Sequence, residues 1–227
     1  MPRRTFAVIG LGRFGSAVAT TLTQLGQDVI GVDADGDRVR LLADTVRQAV
    51  ELDAVDERAL RAAGIDQVDV AIVSIGENIE ASLLVVMQVK DLGVPTILAK
   101  AVTPLHGRIL QKLGVSRVIF PEREMAARIA HSLAVPNVVD YIELSKDFSI
   151  VELPAPEEFV GKTLKELELR PRYGLTLIAI RRPSGTSDGE ITHVSPSADD
   201  RIQHGDILAL IGANDRLSQL DRLLKRK

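Results

Sequence analysis

Residues Gly10-Leu11-Gly12-Arg13-Phe14-Gly15 follow a short apolar run, Phe6 to Ile9, and open a helical pattern from Ala17 to Leu25 that Gly26 closes. No other feature narrows the possible folds as much. Strand, glycine turn and helix in immediate succession are the start of a βαβ unit. Each glycine has a physical task. Gly10 permits the tight turn, Gly12 lets a phosphate approach the backbone, and Gly15 lets helix and strand pack closely. The free N–H groups and positive dipole end of the helix then face that phosphate. Asp33 ends the second apolar run, 18 residues beyond Gly15. A carboxylate there accepts hydrogen bonds from ribose hydroxyls and disfavours a 2′-phosphate. Glycines that serve only a tight turn are the competing reading. The strand before, the helix after and the acid at this spacing favour a bound adenine nucleotide.

The pattern continues along the chain. Strands are expected at Phe6–Ile9, Val29–Val32, Val46–Val50, Val70–Ser74, Thr96–Ala99 and Val118–Phe120. Helical windows lie between them, near 37–43, 57–63, 79–92, 105–113 and 124–133. Strands alternating with helices predict a parallel sheet, so the fold class is α/β, a Rossmann-like doubly wound sheet. After Leu133 the rhythm changes. Pro136, Asn137 and the apolar Val138–Ile142 read as a crossover. Strands follow at Ser149–Leu153, Leu175–Ile180, Glu190–Val194 and Ile207–Ile211, with a short helix near Thr163–Leu167 and a closing helix over Asp215–Leu224. Pro183–Gly189 reads as a hairpin loop. This predicts a nucleotide-binding domain over 1–136, a linker over 137–148, and a small α+β C-terminal subdomain over 149–227.

Composition removes whole classes of function. The 227 residues are 45% hydrophobic and 26% charged, which excludes disorder as the main state. With 28 basic and 31 acidic residues the net charge is −3, without the basic excess of a nucleic-acid binder. Five Phe and two Tyr are too few for a base-stacking platform. There is no cysteine, hence no disulfide and no thiolate metal site. No apolar run approaches the roughly 18 residues of a membrane helix. The opening Met-Pro-Arg-Arg-Thr-Phe leads straight into a strand and predicts no signal peptide. A cytoplasmic protein without direct membrane insertion is the expectation.

Further residues gather around the glycine motif. A guanidinium at Arg13 adds positive charge beyond the helix dipole. That suits ATP over a dinucleotide, or a phosphate held by a neighbouring subunit; a solvated arginine is the alternative. Phe14 lies within the motif. Asp53, after the third strand, and Ser74-Ile75-Gly76-Glu77-Asn78, after the fourth, fall at carboxyl ends of strands, where such sheets bind ligands. Asp53 suits the adenine side, and Gly76 lets the backbone approach. Glu77 and Asn78 serve equally well as caps of the next helix. Catalytic machinery is missing. His106, His131, His193 and His204 are scattered, with His131 on a mainly apolar helix. No Tyr-x-x-x-Lys, GxSxG, HExxH or P-loop GxxxxGK[ST] occurs. A ligand sensor fits these absences better than an enzyme.

The stretches Phe6 to Gly15, Val32-Asp33, Val73 to Asn78 and Val118 to Glu122 closely resemble RCK domains that regulate potassium transport, the KtrA type in particular. Val160 to Leu167, Arg170, Tyr173-Gly174, Leu177 to Ile180 and His204 to Gly212 resemble the C-terminal subdomain of the same family. The resemblance spans the TrkA-N and TrkA-C regions in order. It implies a non-enzymatic, cytosolic gating subunit that forms dimers and then an octameric ring. The ring would sit at the inner membrane through a KtrB-type potassium-channel subunit. ATP would favour the active ring and ADP the inactive one. Gly10, Gly12, Gly15 and Asp33 would hold the nucleotide, with Arg13 and Lys100 at its terminal phosphates. Glu122 would join a divalent cation, Mg or Ca; an ordinary acid in the first turn of a helix is its bland alternative. The family's C-terminal subdomain often binds cyclic di-AMP, and Leu169, Arg170 and Pro196 lie in the corresponding stretches. Two alternatives stand beside this reading: an NAD(H)-sensing regulator of Trk type, and a small NAD-dependent oxidoreductase.

Overall fold

The structure, a computed structural model, describes residues 3–134, 139–183 and 190–217, with the side chains of His131 and Ala134 excepted. The Pro136–Val138 stretch, the loop at 184–189 and the closing helix beyond Leu217 lie outside those residues, as does the His131 side chain. The chain divides into two compact units, Met1–Pro121 and Glu122–Lys227.

The first unit runs β1 (Thr5–Ile9), α1 (Arg13–Gln24), β2 (Asp28–Asp33), α2 (Gly36–Leu42), β3 (Gln48–Glu51), α3 (Glu57–Ala62), a 3-10 turn (Ile65–Gln67), β4 (Val70–Val73), α4 (Ile79–Asp91), β5 (Thr96–Lys100), α5 (Pro104–Leu113) and β6 (Arg117–Ile119). All six expected strands form. They pair in parallel in the order β3-β2-β1-β4-β5-β6. The order reverses between β1 and β4, which opens a crevice at their carboxyl ends. Alternation along β1 sends Ala7 and Ile9 into one core and Val8 into the other. The first core takes Leu60, Val85, Val86, Val89 and Leu110 from the helical layer of α3, α4 and α5. The second takes Ala19 from α1 and Val39 and Leu42 from α2. Covering both faces explains why β4 reads as an unbroken apolar run.

The second unit runs α6 (Pro121–Ala134), β7 (Asp140–Glu143), β8 (Phe148–Pro154), α7 (Leu164–Leu167), α8 (Leu169–Tyr173), β9 (Thr176–Pro183), β10 (Glu190–Val194) and β11 (Ile207–Ala213). Its five strands are antiparallel in the order β10-β9-β11-β8-β7. Every second residue of β8 and β11 is buried, and Phe159, Leu167, Leu169 and Ile202 complete the core. The division differs from the expected one in two places. Residues 140–143, assigned to a linker, are strand β7, paired with β8 from Asp140↔Glu152 to Glu143↔Ser149. As an edge strand with little burial, β7 lacks the apolar run that marks an inner strand. Helix α6, assigned to the first domain, groups with the second unit. Its Met125, Ile129 and Leu133 are 52%, 51% and 80% exposed, an apolar stripe that the core of the second unit leaves uncovered. Among the described residues no helix is long and apolar enough to cross a membrane.

One ion pair with a fully buried carboxylate braces the second unit. Arg182 donates from Nε and Nη2 to the two oxygens of fully buried Asp206, at 2.8 and 2.9 Å. The Gln203 N–H adds a third bond at 2.8 Å. Burial by itself pushes the Asp206 pKa up. The hydrogen bonds from Arg182 and Gln203, with the guanidinium charge, outweigh it and hold the carboxyl below its ordinary range. The native state therefore favours the charged form. The stability this contributes is complete at neutral pH and is lost as pH falls through about 4 and below. Replacing Asp206 with Ala takes the partner from a guanidinium that is 36% exposed and the acceptor from the Gln203 N–H, and is expected to cost about 2 kcal/mol. Thermal melts of wild type and Asp206→Ala from pH 7 to pH 3 check both statements; a variant that melts with the wild type at pH 7 refutes them.

Candidate functional site

Helix α1 starts differently from its neighbours. Asp35 caps α2, Asp56 caps α3, Asn78 caps α4 and Thr103 caps α5, each with a side-chain oxygen that accepts backbone N–H groups. Helix α1 begins on Gly12, with no side-chain cap and no acid in its first turn. Its leading N–H groups and dipole thus face outward at the carboxyl edge of the sheet, an arrangement that suits an anion.

The glycine turn is held from both sides. Gly10 has φ +94°, and a Cβ there would stand 3.2 Å from the Ile75 nitrogen. Its carbonyl accepts the Ser74 hydroxyl at 2.6 Å, from the end of β4. From the other side, buried Asp33 accepts the Leu11 N–H at 2.5 Å and the Asp35 N–H at 2.9 Å. Asp33 is therefore oriented by the loop that it supports. Each of its oxygens retains a lone pair for a further donor. Gly12 is open: the nearest atom to a Cβ there is Nη1 of Arg38, at 4.0 Å. Phe14 is half-buried in the first turn of α1.

The remaining expected residues are placed as follows. Arg13 is exposed at the first position of α1, with no ion-pair partner among the described residues. Gly76 lies beside the end of β5, where a Cβ would stand 3.2 Å from Val102 and 3.5 Å from the Lys100 ammonium. Gly76 and Lys100 are thus brought together. Asp53 is exposed after β3, and its carboxylate accepts the Val55 N–H at 3.0 Å. The Leu52 N–H meanwhile ties that loop to the Asp33 carbonyl at 3.0 Å. The Asn78 side chain accepts the Ala81 N–H at 3.0 Å, which is the capping role. Glu122 is exposed at the second position of α6, in the second unit. Leu169 is buried in the second core, while Arg170 is exposed and Pro196 half-buried.

The sequence reading missed the role of one residue and the presence of another. Ser74 bonds the glycine turn, a role its position after β4 did not reveal. Arg38 holds its guanidinium 3.6 Å from Asp33, 3.4 Å from Asp35 and 3.9 Å from Glu77. A cation five residues beyond the acid was the signal available for it.

The tightest contact of the site is at Gly15. A Cβ there would stand 1.9 Å from the Gly10 carbonyl oxygen and 2.6 Å from the Ser74 hydroxyl. Gly15→Ala is expected to push α1 off β1 and cost at least about 2 kcal/mol, beyond the overpacking of an ordinary core position. Thermal melting checks this, and a melt unchanged from wild type refutes it.

Comparison with known proteins follows these lines. Residues 6–121 match the TrkA-N domain and residues 148–225 the TrkA-C domain. The chain is 41% identical over 220 residues to Ktr system potassium uptake protein C of Bacillus subtilis (strain 168), covering 97% of each protein. It is 39% identical over 209 residues to Ktr system potassium uptake protein A of the same organism, covering 92% of this chain and 91% of that one. Among solved structures, the GsuK RCK domain has a TM-score of 0.65 at 20% identity, over 99% of this chain and 48% of that one. The GsuK channel bound to NAD has a TM-score of 0.66 at 19% identity, over 99% of this chain and 40% of that one. This chain thus spans about half the length of the GsuK chains or less, and the likeness to them is one of fold. The sheet order, the uncapped glycine turn and two domain matches in sequence place the chain in the TrkA-N/TrkA-C family of RCK regulators, of the KtrA type.

Proposed function

We propose that this protein is a nucleotide-sensing gating subunit of a Ktr-type potassium transporter and not an enzyme. The observation that carries the nucleotide reading is the start of α1. It is the one helix among α1 to α5 whose N-terminus no side chain caps, and it stands behind a glycine turn that Asp33 and Ser74 brace. Phosphates meet N–H groups there, and the ribose meets Asp33. Exposed Arg13 on one side, and Lys100 beside Gly76 on the other, supply the charge that a polyphosphate needs. ATP and ADP are the ligands this favours, since their charge differs where a cationic site reads it. The near full-length Ktr relatives support a potassium-transport role, with a KtrB-type membrane subunit as partner and dimers assembling into an octameric ring.

The physical mechanism is a shift of populations. A nucleotide moves the balance between two ring forms only by the difference in its affinity for them. Arg13 would report the presence of the terminal phosphate. Among the described residues no three His, Asp or Glu side chains cluster as a protein-only metal site requires. Glu122, exposed in the first turn of α6, is the residue the reading assigns to a divalent cation. In the second unit, Arg170 and Pro196 are accessible to cyclic di-AMP, whereas Leu169 serves the core. An NAD(H)-sensing regulator is the second reading. It shares the glycine turn and Asp33, and the fold neighbour GsuK is a channel bound to NAD. A small oxidoreductase has no catalytic group in its favour.

A thermal-shift panel with ATP, ADP, NAD, NADH and cyclic di-AMP tests this reading, because a ligand stabilises the state it binds. Stabilisation by ATP and ADP is expected. A response to NADH with none to ATP overturns it in favour of the second reading. Arg13→Ala is expected to narrow the ATP-to-ADP affinity ratio measured by calorimetry, and an unchanged ratio makes Arg13 ordinary surface. Glu122→Gln is expected to remove the divalent dependence of ATP binding; full retention returns Glu122 to a helix-end acid.

A further inference from the structure

Arg38 is placed in a way that its own element does not explain. It stands in the first turns of α2, yet its guanidinium reaches acids on three separate segments: Asp33 at the end of β2, Asp35 at the cap of α2, and Glu77 on the turn after β4. The distances, 3.6, 3.4 and 3.9 Å, are those of loose ion pairs. Among the described residues the guanidinium makes no hydrogen bond. Its five donors are therefore directed at nothing closely. The Glu77 side chain is 93% exposed, so its contact with Arg38 is weak and screened.

The position of this loose cation is informative. Its Nη1 is the atom nearest to the empty side-chain position of Gly12, the glycine at which a phosphate comes closest to the backbone. A planar fork of N–H donors beside that point binds a phosphate bidentately, and far more strongly than it binds three distant carboxylates. Glu77 competes for the same fork from the opposite lip of the crevice.

We infer that Arg38 is an exchangeable phosphate-binding residue: its guanidinium, shared loosely among Asp33, Asp35 and Glu77 in the free protein, leaves the exposed Glu77 for the nucleotide phosphate that lies against Gly12. Asp33 remains in place throughout, because backbone N–H groups hold it independently of Arg38. The exchange makes Glu77 a built-in competitor whose removal strengthens binding. The inference rests on the glycine turn being a nucleotide site.

Calorimetry of ATP, ADP and adenosine with the full chain tests it, using wild type, Arg38→Ala, Arg38→Lys, Glu77→Gln and the Arg38→Ala/Glu77→Gln double variant. Arg38→Ala is expected to weaken ATP and ADP by about tenfold and leave adenosine unchanged, with Arg38→Lys in between. Glu77→Gln is expected to tighten ATP by about twofold in the wild-type background and not at all in Arg38→Ala. Three results overturn the exchange while leaving the site intact. The first is Arg38→Ala binding ATP as tightly as wild type; the second is Glu77→Gln tightening ATP equally in both backgrounds, which is direct repulsion; the third is adenosine weakening along with ATP, which is a purely structural arginine. A wild-type chain that binds neither ATP, ADP nor NAD overturns the site itself, and the exchange with it.

Discussion

The first unit depends on the bracing of one short turn. Between β1 and α1 the backbone must change direction at Gly10, and both neighbours of β1 in the sheet hold it there. Asp33, at the end of β2, accepts the Leu11 N–H, and Ser74, at the end of β4, donates to the Gly10 carbonyl. The two bonds pin the turn where the strand order reverses. A net hydrogen bond contributes about 1 kcal/mol, and one to a charged group about 1.5–3 kcal/mol, whereas a buried carboxylate left without partners costs more. Asp33 is thus stabilised by the turn as much as it stabilises it. Gly15 is the third party: the helix comes so close that its missing side chain is a condition of the packing.

That arrangement leaves a site with unequal parts. The backbone portion, an uncapped helix start behind a fixed turn, is rigid because strands on both sides define it. The charged portion is not. Arg13, Lys100 and Arg38 come from three different elements, and Arg13 and Arg38 reach into or toward solvent. Rigid N–H groups suit recognition of a phosphate as such, and long cationic side chains suit the counting of phosphates. The second unit turns one carboxylate inward: Asp206, fully buried, accepts from Arg182 and from the Gln203 N–H and so braces a small core.

The six parallel strands and the glycine turn were legible because their signals are local. Burial on both faces makes strands such as β4 apolar throughout, and the turn needs its glycines within six residues. Strand β7 was illegible for the complementary reason: at the sheet edge, Asp140 and Glu143 bracket only half-buried Tyr141 and exposed Ile142, and such a stretch looks like a linker. Helix α8 is a single turn after α7, too short for any period to show. Asn78 was open between two roles, and only the bond to the Ala81 N–H assigned it a cap.

The sequence by itself determined the order of strands and helices in the first unit, the place of the glycine turn and the acid that braces it. Each follows from contiguous residues obeying a short-range rule of period or conformation. Only the tertiary structure decided that Ser74 locks the turn, that Gly76 meets Lys100, and that Arg38 spans Asp33, Asp35 and Glu77. Those contacts join segments up to 64 residues apart, as Ser74 and Gly10 are, and exist only once β1 lies between β2 and β4. Side-chain chemistry is written residue by residue, but which groups share a site is set by the sheet order that brings their strand ends together.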